Sequence, residues 1–153
     1  MDTLQIETGV IRLSVTVDGK NGREVAFNPH DLIFVEKVHK LYFDLRAKHT
    51  EYQVTKKSIQ NLEKDADGML VDIAGISVPV REINTWFREQ IDGLLGENTC
   101  QGIFGDVMFA DEKLGVYFQL LDAVISRTAP VRAEKITKYL PVDKKKPRKP
   151  RKR

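Results

Sequence analysis

The sequence predicts an α+β fold, mainly α: an N-terminal β-hairpin followed by a helical domain with one long helix and a helix–turn–helix corner. Three observations carry this. Residues 10–17, VIRLSVTV, set Ile11, Leu13, Val15 and Val17 against Arg12, Ser14 and Thr16, the period-two alternation of a half-buried strand. Residues 30–67 hold neither Gly nor Pro, which leaves room for one long helix. Val80, Ile83, Phe87, Ile91, Leu94 and Leu95 recur at steps of three and four and stop at Gly96, the pattern of an amphipathic helix that ends where its C-cap glycine stands.

The hairpin occupies residues 10–27. Asp18-Gly19 and Asn21-Gly22 are both turn dipeptides, and Glu24 to Phe27 returns as the second strand. Two strands alone are marginal in water, so they need a helix or a neighbouring subunit to pack on. Asn28-Pro29 opens the long helix, 29–66, with Asn28 as N-cap, Pro29 at the first helical position and Asp31 complementing the helix dipole. Phe34, Val38, Leu41, Leu45, Tyr52, Ile59 and Leu62 follow a seven-residue spacing, but Lys48 and Thr55 fall at two of the apolar positions. The first half of this helix is therefore expected in the core. The second half, from Arg46, is a thin stripe that projects or finds a partner helix.

Met69 to Val78 reads as a connector or short strand before a helix over 80–95 that begins at Ser77 or Pro79. Trp86 and Phe87 lie about 100° apart on that helix, so both face the core or one faces a partner. Asn98 or Thr99 caps a short helix, 99–104, that stops at Gly105. Asp111 caps a last helix, 111–127, with Leu114, Tyr117 or Phe118, Leu121, and Val124 or Ile125 inward and Gly115 at a close approach. Residues 1–140 are expected to form one domain, and 141–153 a disordered basic tail.

The net charge of +3 hides an asymmetry. The last thirteen residues carry eight Lys or Arg against one Asp, a net +7, which leaves the other 140 residues at −4. Lys144, Lys145, Lys146, Arg148, Lys149, Arg151, Lys152 and Arg153 are the candidate polyanion-binding residues, able to neutralise phosphates without reading bases. No apolar run approaches the ~20 residues of a membrane span, and the N-terminus lacks the basic-then-apolar order of a secretory signal. The single cysteine, Cys100, reads as a packed residue of a reducing compartment, which places the protein in the cytoplasm.

Catalytic motifs are missing. There is no phosphate-binding glycine loop after a strand, no Gly-x-Ser-x-Gly elbow and no His-Glu-x-x-His. His30, His39 and His49 lack the three- or four-residue spacing of a helical metal site, and the Asp65–Gly68 turn lacks the later ligands of a calcium loop. The sequence is thus expected to be non-enzymatic, with no metal, no cofactor and no small-molecule substrate. Trp86, Tyr52, Ile59 and Leu62 are the candidate partner-binding residues.

Two segments carry a resemblance. FNPHDLIFVEKVHKLYFDLRAK, residues 27–48, is a strand end, Asn-Pro and an acidic residue opening a long helix. FREQIDGLLGENTCQGIFGD, residues 87–106, ends a helix, turns and restarts, with Leu95-Gly96 at the first turn and Phe104-Gly105 at the second. Together they resemble the small tail assembly chaperones of long-tailed bacteriophages of Gram-positive hosts. The resemblance implies a helical, non-enzymatic protein of virion morphogenesis in the host cytoplasm. Such a protein binds the tape measure protein, helps tail tube protein subunits assemble around it, self-associates and is absent from the finished particle. It also implies a longer product by ribosomal frameshift near the end of the gene, with the Lys144–Lys146 codons as the candidate slippery site. Two other readings stand beside it: a structural tail or head–tail connector component of the virion, motivated by the hairpin, and a nucleic-acid-binding protein acting through the basic tail.

Overall fold

The computed structural model describes residues 1–59, 64–69 and 73–128. Strands β1 (Ile11–Val17) and β2 (Lys20–Phe27) form an antiparallel hairpin, followed by helices α1 (Leu32–Ile59), α2 (Ala74–Leu95), α3 (Thr99–Phe104) and α4 (Gly115–Ile125), with a 3-10 turn at Asp111–Lys113 before the last. The fold is α+β and mainly α. α1 packs against α2 and α4, while α3 links α2 to the hairpin.

The hairpin turns at Asp18-Gly19 alone, with φ of 54° and 74°, the left-handed pair of a two-residue turn. Asn21-Gly22 lies within β2. The register steps from Val15↔Arg23 to Thr16↔Asn21, so Gly22 is the extra residue of a bulge. A Cβ there would stand 2.2 Å from the Val15 carbonyl oxygen, so this bulge accepts only glycine. Ile11, Leu13, Val15 and Val17 turn toward the core, as the alternation predicts, and Val25 and Phe27 are buried.

α1 begins later than the sequence predicts. Asn28 Oδ1 accepts from the His30 amide, a turn of its own, and the N-cap is Asp31, whose Oδ1 accepts from the amides of Ile33 and Phe34. Pro29 is buried and stands before the helix instead of inside it. Phe27 stacks on Phe34 with ring centroids 5.4 Å apart, tying the hairpin to the first turn. Val38, Leu41 and Leu45 are buried, as their spacing predicts.

α2 begins earlier than predicted. It starts at Ala74, so the supposed connector supplies its first turns and Pro79 lies inside it. Proline breaks helices because it lacks an N–H and crowds the carbonyl four residues back. That residue is Gly75, and the neighbouring Ile76 and Val80 pack on the core, so tertiary burial overrides the signal. Gly96 follows Leu95 with φ 117° and ψ 150°, a glycine-only region beyond the left-handed helical one expected of a C-cap. Its amide donates to Asp92 O at 2.9 Å.

The cap of α3 also differs. Asn98 is left-handed (φ 62°) and makes no side-chain cap bond, and the Thr99 hydroxyl turns back to Gly96 O. Asp92, reaching from α2, accepts the Cys100 amide at 2.9 Å. Asp111 opens a 3-10 turn, and α4 follows at Gly115, where a Cβ would meet nothing within 4 Å, so no close packing explains that glycine. Leu114, Tyr117, Leu121 and Val124 are buried, with Leu120 among them and Phe118 half-buried.

The core is aromatic at its centre. Phe87 meets Tyr117 and Phe118 edge-on at 5.4 and 5.7 Å, and Phe104, Phe109 and Tyr117 form a triangle with sides of 5.4 to 5.7 Å. Phe87, Ile91 and Tyr117 are fully buried. Among the described residues, no helix is long and apolar enough to cross a membrane.

Candidate protein-docking clefts

The polar interior of the core shapes the surface outside it. Asn84 sits on the apolar stripe of α2 with no exposure. Its Nδ2 donates to the carbonyls of Val80 and Phe109, both at 2.8 Å, and its Oδ1 accepts from the Phe109 amide at 2.9 Å and the Tyr117 hydroxyl at 2.7 Å. One side chain thus holds both backbone groups of Phe109, as a neighbouring strand would. Arg88, one turn on, donates to the Tyr117 hydroxyl and, at 2.7 Å, to Val107 O. Burial pushes the Tyr117 phenol above its ordinary value, and the Arg88 cation offsets part of that rise. Residues 107–109 are clamped to α2 by these bonds, and they leave Val107 and Met108 exposed.

Two clefts follow, one on each side of Tyr52. The first, about 350 Å³, lies between α1 and α2 with Trp86, Pro79 and Ile83 opposite Lys48, Tyr52 and Thr55. Lys48 Nζ stands 5.4 Å from the Trp86 ring centroid, a cation–π contact, and 3.6 Å from Glu51. The second, about 490 Å³, has an apolar wall of Ile76, Val80, Met108 and Ala110 and a charged rim that includes Arg81 and Glu112. Lys56 and Asp111 form an ion pair across it, while Asp111 Oδ1 is buried with no hydrogen-bond partner among the described residues. Ile73, one turn before Ile76, is 65% exposed. This is apolar surface with a few fixed polar groups, the make-up of a site that receives an apolar side chain or a helix face.

The structure brings together two of the four predicted partner residues. Trp86 is half-buried at the first cleft. Tyr52 lines both clefts but is only 6% exposed, so it is a buried floor and not the surface contact the thin stripe predicts. The cause is α2, whose Pro79 and Ile83 line one cleft with it and whose Ile76 and Val80 line the other. Burial, then the negative charges of Asp111 and Glu112, raise the Tyr52 phenol above its ordinary value, so it stays a neutral hydroxyl. Ile59 is the last residue of α1, and Leu62 and the eight cationic residues of 141–153 lie outside the described residues.

Sequence reasoning missed Asn84, Arg88, Asp92 and the Lys56–Asp111 pair. Asn84 had a signal: it occupies an apolar position between Val80 and Phe87. Nothing in the sequence pairs Lys56 with Asp111, 55 residues away.

Among the described residues, no three His, Cys, Asp or Glu side chains stand where they could hold a metal ion. Cys100 is buried, and its thiol is pushed up to about 12, first by burial and then by the Asp92 carboxylate, so it is no nucleophile near neutral pH.

A family match covers residues 21–153, most of the chain. The chain belongs to a family of unknown function (DUF6673). No curated protein and no solved structure matches it. The match contains both clefts and the Asn84 clamp, and it leaves β1 and the ten residues before it outside.

Proposed function

We propose that this DUF6673 protein is a non-enzymatic phage tail assembly chaperone that binds the tape measure protein and aids tail tube assembly in the host cytoplasm. The observation that carries the reading is where the two resembling segments lie. Residues 37–44 of α1 face residues 89–94 of α2, so segments far apart in sequence form one packed unit. The clefts beside Tyr52 supply the means: partly exposed apolar walls, a tryptophan at one and a methionine at the other, suited to a helix of an aggregation-prone partner. Co-expression with a phage tape measure protein, in the presence of tail tube subunits, should yield a soluble complex. A tape measure protein that stays insoluble and uncomplexed sinks the reading.

One observation favours the alternative of a structural tail or connector component. Among the described residues the hairpin is a two-stranded sheet with β1 paired to β2 alone, so it offers an edge to another subunit. Mass spectrometry of purified particles separates the two: the chaperone reading expects the protein to be absent, and the structural reading expects abundant copies.

A further inference from the structure

A third groove, about 570 Å³, runs between β1 and α4. Its hairpin wall is the consecutive run of β1 from Leu13 to Val17 with the turn residue Asp18, so the strand's free edge lines it, and Phe104, Val116 and Leu120 form its apolar side. The backbone groups that β1 turns away from β2 have no strand beside them among the described residues. The same chain carries a segment suited to this place. Residues 1–10 form no helix or strand, and their apolar side chains lie in solvent: Leu4 is 83% exposed, Ile6 72% and Val10 57%.

We propose that residues 3–8 of one copy add as a strand to the free β1 edge of a second copy, between that edge and α4. The dimensions agree: residues 3–8 extend over about 20 Å, and the free edge of β1 is the seven residues Ile11–Val17. The pattern agrees too. Thr3-Leu4-Gln5-Ile6-Glu7-Thr8 alternates, so a strand there lays Leu4 and Ile6 on the groove floor and leaves Gln5 and Glu7 in water. The acceptor is a second copy because the arm leaves its own fold on the other side. Gly9 lies against the His30 ring, beyond the end of β2, so closely that a Cβ would come within 2.5 Å of it. Reciprocal exchange of two arms into two grooves closes as a two-fold dimer. Arm and edge both precede the residues matched to the family, so the inference stands apart from the chaperone reading.

Light scattering on the full chain over about 1 to 100 μM tests it. The expected mass is that of two chains, falling to one when residues 2–8 are deleted. Mixing the Ile6→Cys and Val116→Cys variants should give a disulfide between two chains under mild oxidation. The same pair placed in one chain should stay unlinked internally at high dilution. A single-chain mass throughout, a dimer that survives the deletion, or an internal disulfide at high dilution would overturn the proposal.

Discussion

Asn84 serves Phe109 as an adjoining strand would, and the loop at 107–109 depends on it. Truncation to alanine leaves the Phe109 amide, its carbonyl and the Tyr117 hydroxyl short of partners inside the core. Each such group costs about 1–3 kcal/mol when buried and unsatisfied. Asn84→Ala should therefore lower stability by at least about 2 kcal/mol in a denaturant titration. A loss under about 0.5 kcal/mol would mean that water or a rearranged loop replaces the amide. Cys100 gives a second expectation. Its folded pKa of about 12 lies above the unfolded value near 9.0, so the folded state holds a proton that the unfolded state releases between them. Stability is unaffected by this group below about pH 9 and falls as pH rises above it. Alkylation of native protein at pH 8 should accordingly be far slower than that of urea-unfolded protein. Equal rates would place the thiol at the surface. The burial of Cys100 was legible from its place on the corner. Its Asp92 partner was not, because a cap supplied by another helix leaves no mark in local sequence.

Helix α1 shows how far an apolar pattern reaches. In the dense half, Val38, Leu41 and Leu45 are buried where the spacing places them and Phe34 is half-buried, since residues three or four apart there contribute to one core. Beyond Leu45, Tyr52 is the one buried hydrophobic described, and Val54 is 67% exposed. Amide exchange should be faster in residues 46–59 than in 33–45 of a monomeric variant, because opening is easier where few apolar contacts must break. Uniform protection across both halves would contradict this. The ends of elements were less legible than their middles. Asp31 replaces Asn28 as the cap of α1 because two cap-forming residues stand three apart and only the chain's path after the hairpin chooses between them. The start of α2 was hidden by Pro79, a helix breaker in local terms, which the pull of Ile76 and Val80 toward the core overrides. The two-period strand and the extent of the short helix from Thr99 to Phe104 were legible, because their signals lie within a few residues of one another, while the cap of that helix was not.

At the scale of the whole molecule, the charge asymmetry and the clefts make separate claims. The +7 of residues 141–153 contrasts with the −4 of the rest. Deleting them should leave the melting temperature nearly unchanged and weaken salt-sensitive binding to heparin or nucleic acid, since those charges are the concentrated positive stretch of the sequence. Polyanion binding of equal strength after deletion would move that activity to the folded surface. The clefts were not legible in sequence. Tyr52 and Trp86 were singled out as partner contacts, but that they meet across α1 and α2, with Tyr52 as floor, depends on contacts between residues more than thirty apart. The proposal that these clefts hold another protein is read most simply from the mass of the complex formed with the tape measure protein. Size-exclusion light scattering of the co-purified proteins should show a stable complex with the native chain. With Trp86→Ala and Met108→Glu together, substitutions at a half-buried and an exposed side chain, the complex should be lost while the variant alone keeps the native melting temperature within a few degrees. A complex of unchanged mass and stability with that variant would mean that the partner binds outside these clefts.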